Sequence, residues 1–123
     1  MTRSSSMGML FAAAMLLTPA GMLDPRGVSA AAGDVAKGKA LFELKGGCVN
    51  CHGSGGGGDG PAGKMLAPPP ADLTSPKAKA KSGADVLKTI QEGRSGTAMI
   101  GFKGQLTEQE IRDLLTYVRS LSK

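Results

Sequence analysis

Cys48-Val49-Asn50-Cys51-His52 is the stretch from which the rest of this chain can be read. Two cysteines three positions apart fall on one side of a single helical turn, and the next residue is a histidine. These are the only two cysteines and the only histidine in the 123 residues. A structural zinc site wants four nitrogen or sulfur ligands, and only three are on offer. A thioredoxin-like dithiol sits between a strand and a helix of a βαβ unit. Here the flanks are Gly46-Gly47 and Gly53, with no β-branched run nearby. A plain disulfide leaves His52 without a task. The spacing does fit attachment of a c-type haem. Each sulfur, Cys48 and Cys51, adds to one vinyl group of the porphyrin as a thioether, and His52 offers its imidazole to the iron as proximal ligand.

Composition bounds the setting. Arg3 and the apolar run Met7 to Leu17, followed by small residues at Val28-Ser29-Ala30-Ala31-Ala32, form the pattern of a secretory signal peptide. Residues 1–32 are expected to be that leader, cut after Ala30 or Ala32, with one domain from 33 to 123. The alternative is an uncleaved membrane anchor, but Thr18, Pro19, Asp24 and Arg26 interrupt the run short of the roughly 20 apolar residues a spanning helix needs. No stable membrane span is expected after cleavage. Export to a bacterial periplasm suits a motif whose thiols must be joined to haem by a dedicated maturation system. From Gly33 onward thirteen Lys and Arg face nine Asp and Glu, a mildly basic balance. No dense basic run with interleaved aromatics appears, so nucleic acid is not an expected partner. Phe42, Phe102 and Tyr117 are the only aromatics of that part. A porphyrin would supply the missing apolar mass, and the chain without it is expected to fold poorly.

The pattern predicts three helices, long Gly/Pro-rich connectors and no strand. The first is expected to start with Asp34 as N-cap, to carry Val35, Gly38, Leu41 and Phe42 as one apolar stripe, and to end at Gly46-Gly47. The second opens at Ser82 with Asp85 three residues on, buries Val86, Leu87 and Ile90, and closes at Gly93. The third opens with the capping box Thr107 to Glu110, and Ile111, Leu114, Leu115, Val118 and Leu121 follow at helical spacing. Between the first two helices, GSGGGGDGPAG (53–63) lacks the Gly-Lys-Ser/Thr of a phosphate-binding loop and is expected to wrap the haem edge. Lys77, Lys79 and Lys81 form either a solvated stretch or part of a basic docking rim.

A second axial ligand would close the iron's remaining position, and a methionine thioether would favour the reduced state. The domain holds two methionines, Met65 and Met99. Met65 lies in the loop after the motif. Met99 lies in a non-helical link between the second and third helices, where it can reach the face opposite His52. Either could instead be core filler; Met99 is the favoured ligand.

The segments GDVAKGKALFELKGGCVNCHG, GDGPAGKMLAPPPADLT and GTAMIGFKGQLTEQEIRDLLTYVRSL resemble the small soluble class I cytochromes c of bacteria. They are especially similar to single-haem domains related to the cytochrome subunit of cbb3-type oxidases. The resemblance covers nearly all of 33–123. It implies an all-α class I cytochrome c fold with three main helices and long loops wrapped around one covalent haem c. It implies Met99 as distal iron ligand, and Gly38 and Phe42 packed on Leu114 and Tyr117 where the first and last helices cross. It also implies a proline carbonyl accepting the N–H of the proximal imidazole, with Pro61 as candidate. The chain departs from the pattern at Ile100, where relatives usually carry proline, so the loop bearing Met99 is less constrained.

The function implied is a periplasmic carrier of one electron on a His/Met-ligated c-type haem, not itself an enzyme. The alternatives are a haem c subunit of a larger oxidoreductase complex, or a ligand-binding haem sensor with an open sixth position. Expected partners are redox proteins with acidic docking surfaces, held transiently. Lys64, Lys103 and the 77–81 lysines would steer them, and Arg94 could pair with a haem propionate or stand in solvent.

Overall fold

The computed structural model describes residues 32–122. The expected leader, apart from Ala32, lies outside the described residues. Along the chain run α1 (Val35–Glu43), α2 (Val49–His52), a 3₁₀ turn (Gly63–Met65), α3 (Pro76–Ala80), α4 (Gly83–Glu92) and α5 (Glu108–Leu121). Among the described residues there is no strand, only isolated bridges between Gly93 and Ile100 and between Lys103 and Leu106. No helix among the described residues is long and apolar enough to cross a membrane.

The three long helices begin where their capping residues say they should. The Asp34 carboxylate accepts from the Lys37 N–H at 3.0 Å, and Ser82 Oγ accepts from the Asp85 N–H at 3.0 Å. At the head of α5 the box is reciprocal. Thr107 Oγ1 accepts from the Glu110 N–H at 3.1 Å, and Glu110 Oε2 accepts from the Thr107 N–H at 2.8 Å. Each cap satisfies N–H groups that the first helical turn leaves without partners. Gly93, at φ +74°, ends α4.

Helices α1 and α5 cross at Gly38, and α4 packs against α5. A Cβ at position 38 would stand 2.7 Å from both the Asp113 carbonyl carbon and Tyr117 Cβ, so only glycine lets the two backbones meet this closely. One turn on, the rings of Phe42 and Tyr117 meet edge to face, centroids 5.3 Å apart, a geometry favoured by the ring quadrupoles. Leu41, Phe42, Ile90, Phe102, Leu106, Ile111, Leu114 and Tyr117 form the core, with Val86, Leu87, Leu115, Val118 and Leu121 packed on its edge.

Three features differ from the pattern of the sequence. Val35 is 47% exposed, so the buried stripe of α1 is Gly38, Leu41 and Phe42 alone. The first turn is fixed instead by a polar contact: Asp113 Oδ1, almost wholly buried, accepts from the Asp34 N–H at 2.8 Å and from Gln109 Nε2 at 2.9 Å. Residues 76–80 form a short helix rather than a connector. Its cap is Ser75, whose Oγ accepts from the Ala78 N–H at 3.2 Å, and Pro76 supplies the first position. Arg119 Nη1 donates to the Lys81 carbonyl at 2.6 Å and ties the segment to α5. Lys77 and Lys79 are exposed there.

Two predictions follow from this frame. Gly38→Ala forces α1 and α5 apart and should destabilise the protein by about 1–3 kcal/mol, read as a lowered denaturation midpoint. The Asp34 carboxyl is held below the usual carboxylate range by the Lys37 N–H, and that of Glu110 by the Lys45 ammonium and then the Thr107 N–H. Their stabilising effect is full at neutral pH and is lost as pH falls past the ordinary carboxylate range and through these depressed values. Thermal unfolding should show this fall, and the double variant Asp34→Asn, Glu110→Gln, which keeps the caps without the titration, should flatten it.

Candidate haem site

The short helix α2 carries the motif. It follows α1 after five residues, and the turn between them is closed by the Gly46 N–H donating to the Leu41 carbonyl at 2.7 Å. Within α2 the His52 N–H donates to the Cys48 carbonyl at 2.8 Å. This bond makes one turn of 48–52, so Cys48 and Cys51 share a side. Both are free thiols, half-buried, and Cys48 packs against the core. Burial pushes the Cys48 thiol up to about 11. A redox dithiol needs the reverse, a thiol acidified by its surroundings. Among the described residues no group of three or more His, Cys, Asp or Glu gathers as a metal-ion cage.

The imidazole of His52 is fixed from behind. Its Nδ1 lies 3.0 Å from the carbonyl oxygen of Ala71. A carbonyl can only accept, so this bond puts the proton on Nδ1 and leaves a lone pair on Nε2, the state in which an imidazole binds a metal. The expected acceptor, Pro61, does not fill this role. Pro61 is exposed and follows Gly60, whose N–H is bonded to the Cys51 carbonyl at 3.0 Å; the chain there lines the backbone of α2. The acceptor comes from the segment after the proline run. Sequence carries no signal for it, because every residue has a carbonyl.

The two methionines separate clearly. Met65 is 83% exposed. Met99 is half-buried and packs against the core, in the link between α4 and α5. That link is tied at several points. The Arg94 N–H donates to the Met99 carbonyl at 3.0 Å, and the Met99 N–H donates to Thr97 Oγ1 at 3.1 Å. The Thr97 hydroxyl in turn donates to the Arg94 carbonyl at 2.8 Å. Phe102 and Lys103 donate to the Ile90 and Gln91 carbonyls at 2.9 and 3.0 Å, fastening the far side to α4. Ile100 therefore needs no proline ring for the loop to close. Arg94 is exposed.

Two thiols on one turn, an imidazole with a free nitrogen, and a half-buried thioether in a tied loop match the donors that a covalent haem takes. The sequence profile of cytochrome c matches residues 35–122. The chain belongs to the cytochrome c family. This cytochrome carries haem c with its iron and is an electron-transfer protein. It is similar to a chain of the Kuenenia stuttgartiensis reducing HAO-like protein complex Kustc0457/Kustc0458, with 33% identity and a TM-score of 0.65. That match covers 72% of this cytochrome and 44% of the other chain, so the cytochrome spans less than half the length of that neighbour. It is also similar to the KustC0563 c-type cytochrome, with 26% identity and a TM-score of 0.57, over 70% of this chain and 98% of that one. No curated protein matches the chain.

The hydroxyl of Thr97 gives a test of the loop. Thr97→Val removes the acceptor of the Met99 N–H, and the amide of Met99 should exchange with solvent about tenfold faster. Thr97→Ser keeps the hydroxyl and should restore slow exchange.

Proposed function

We propose that this cytochrome is an exported, periplasmic carrier of one electron. In this reading Cys48 and Cys51 hold the haem by thioethers, His52 is the proximal iron ligand and Met99 the distal one. The observation that carries the reading is the orientation of His52. A ring whose Nδ1–H is committed to Ala71 at 3.0 Å presents Nε2 from the same turn that carries both thiols. When bound, the haem supplies Fe(III)/Fe(II) chemistry at a single centre. The chain's residues do the rest. The Ala71 carbonyl fixes the imidazole plane and strengthens it as a donor. The tied 94–99 loop holds a thioether ready without large rearrangement.

The leader reading has support at the start of the domain. Gly33 lies against α5, where a Cβ would stand 2.8 Å from the Arg112 carbonyl carbon, and Asp34 is bonded to Asp113. Both residues, directly after the expected cleavage sites, are part of the packed domain. Exposed Lys64, Lys77, Lys79 and Lys103 are suited to steering an acidic partner. A second reading, as the haem c subunit of a larger oxidoreductase, is favoured by the likeness to one chain of a complex. The two separate on isolation: a free carrier purifies alone, a subunit with its larger partner.

An absorption spectrum of the mature protein tests the site. The haem should remain with the polypeptide in acidified organic solvent. The oxidised protein should show the weak long-wavelength band of thioether ligation, and Met99→Ala should abolish it while Met65→Ala leaves it intact. Carbon monoxide binding by the untreated reduced protein would favour an open-site sensor and overturn the His/Met assignment. Reaction rates with an acidic redox partner should fall as salt rises.

A further inference from the structure

The glycine run 53–60 has no part in the ligand set, yet its backbone is bonded to both sides of the His52 contact. The Gly58 N–H donates to the carbonyl of His52 itself at 2.8 Å. The Leu73 N–H donates to the Gly56 carbonyl at 2.7 Å. Ala71, two residues before Leu73, accepts from His52 Nδ1 at 3.0 Å. These three bonds close a ring: His52 backbone to Gly58, along the chain to Gly56, across to Leu73, back along the chain to Ala71, and across to the imidazole of His52. Gly58 lies inside this ring, against the Pro70-Ala71 backbone. It adopts φ +82°, and a Cβ there would stand 2.8 Å from the Pro70 carbonyl oxygen and 3.5 Å from the carbonyl carbon and oxygen of Ala71. The space a side chain would need is taken by the Pro70 carbonyl, in the peptide directly before the Ala71 acceptor.

The geometry points to Gly58 as a positioning residue. Its bare backbone sets how closely the Ala71 carbonyl approaches the imidazole of His52, and through that bond the reduction equilibrium of the iron. The physical link is direct. A strong N–H···O=C bond makes the imidazole a better donor and favours Fe(III), and loosening it favours Fe(II). A side chain at 58 would bring both left-handed strain and pressure on the Pro70-Ala71 peptide. This inference rests on His52 being the proximal ligand.

The test compares two variants of the holoprotein. Gly58→Ala should shift the reduction equilibrium about threefold to tenfold toward Fe(II), raising the midpoint by up to about 59 mV. It should also move the His52 Nδ1–H proton resonance. Gly55→Ala, whose Cβ meets nothing within 4 Å, should change neither. A folded Gly58→Ala with the potential and resonance of the unaltered protein overturns the inference. If Gly58→Ala fails to fold, hydrogen exchange in the unaltered holoprotein decides. The Gly58 and Leu73 amides and the His52 Nδ1–H should open at one common rate, and independent rates overturn the proposal. Absence of iron-shifted His52 ring resonances would instead remove the ligand assignment on which it rests, and that result is read separately from the exchange of the ring.

Discussion

The close crossing of α1 and α5 at Gly38 is the constraint on which the rest of the molecule hangs. Helix α1 is only nine residues long and would not persist in water alone. It is held because the missing side chain at 38 lets its backbone reach that of α5, which brings Phe42 onto Tyr117 and buries both. From the end of α1 only a short turn leads to the motif. The orientation of the two thiols and the imidazole is therefore inherited from that helix pair, and Cys48 packs against the core to which the pair contributes most residues.

Between α2 and α3 the chain relies on backbone hydrogen bonds. The region from Gly53 to Ser75 contains one 3₁₀ turn and no long helix among its residues. It is nevertheless tied to α2 through the carbonyls of Asn50, Cys51 and His52, which accept from Ala62, Gly60 and Gly58 at 2.8–3.0 Å. An unpartnered buried amide is costly, so such a loop keeps its shape by pairing its N–H groups rather than by burying side chains. The link between α4 and α5 solves the same problem with one hydroxyl. Thr97 accepts from Met99 and donates to Arg94, and in that way supplies the restraint that a proline after the methionine would otherwise give.

For an electron-transfer protein these features have a common consequence. Electron transfer with small rearrangement needs groups that hold their positions in both states of the iron. The cytochrome places its imidazole against a fixed carbonyl and its half-buried methionine in a loop fastened to α4 at two points. Lys64, Lys77, Lys79 and Lys103 are exposed on short connectors and α3, and Lys37 and Lys39 are exposed on α1 itself.

What the sequence alone determined is whatever depends on residues three or four apart. The motif, the caps at Asp34, Ser82 and Thr107, the closure of α4 at Gly93 and the apolar stripe of α5 are all local, and local hydrogen bonds and periodicity are written in residue type. What only the tertiary structure decided depends on partners far along the chain. The acceptor for His52 is Ala71 and not Pro61, because backbone carbonyls are identical in every residue and only folding selects one. Asp113 is buried because the start of α1 brings an N–H to it, while Val35, apolar and in register, is left half in solvent. Ser75 and Pro76 do spell a helix start, but a five-residue helix becomes credible only with Arg119 holding its end.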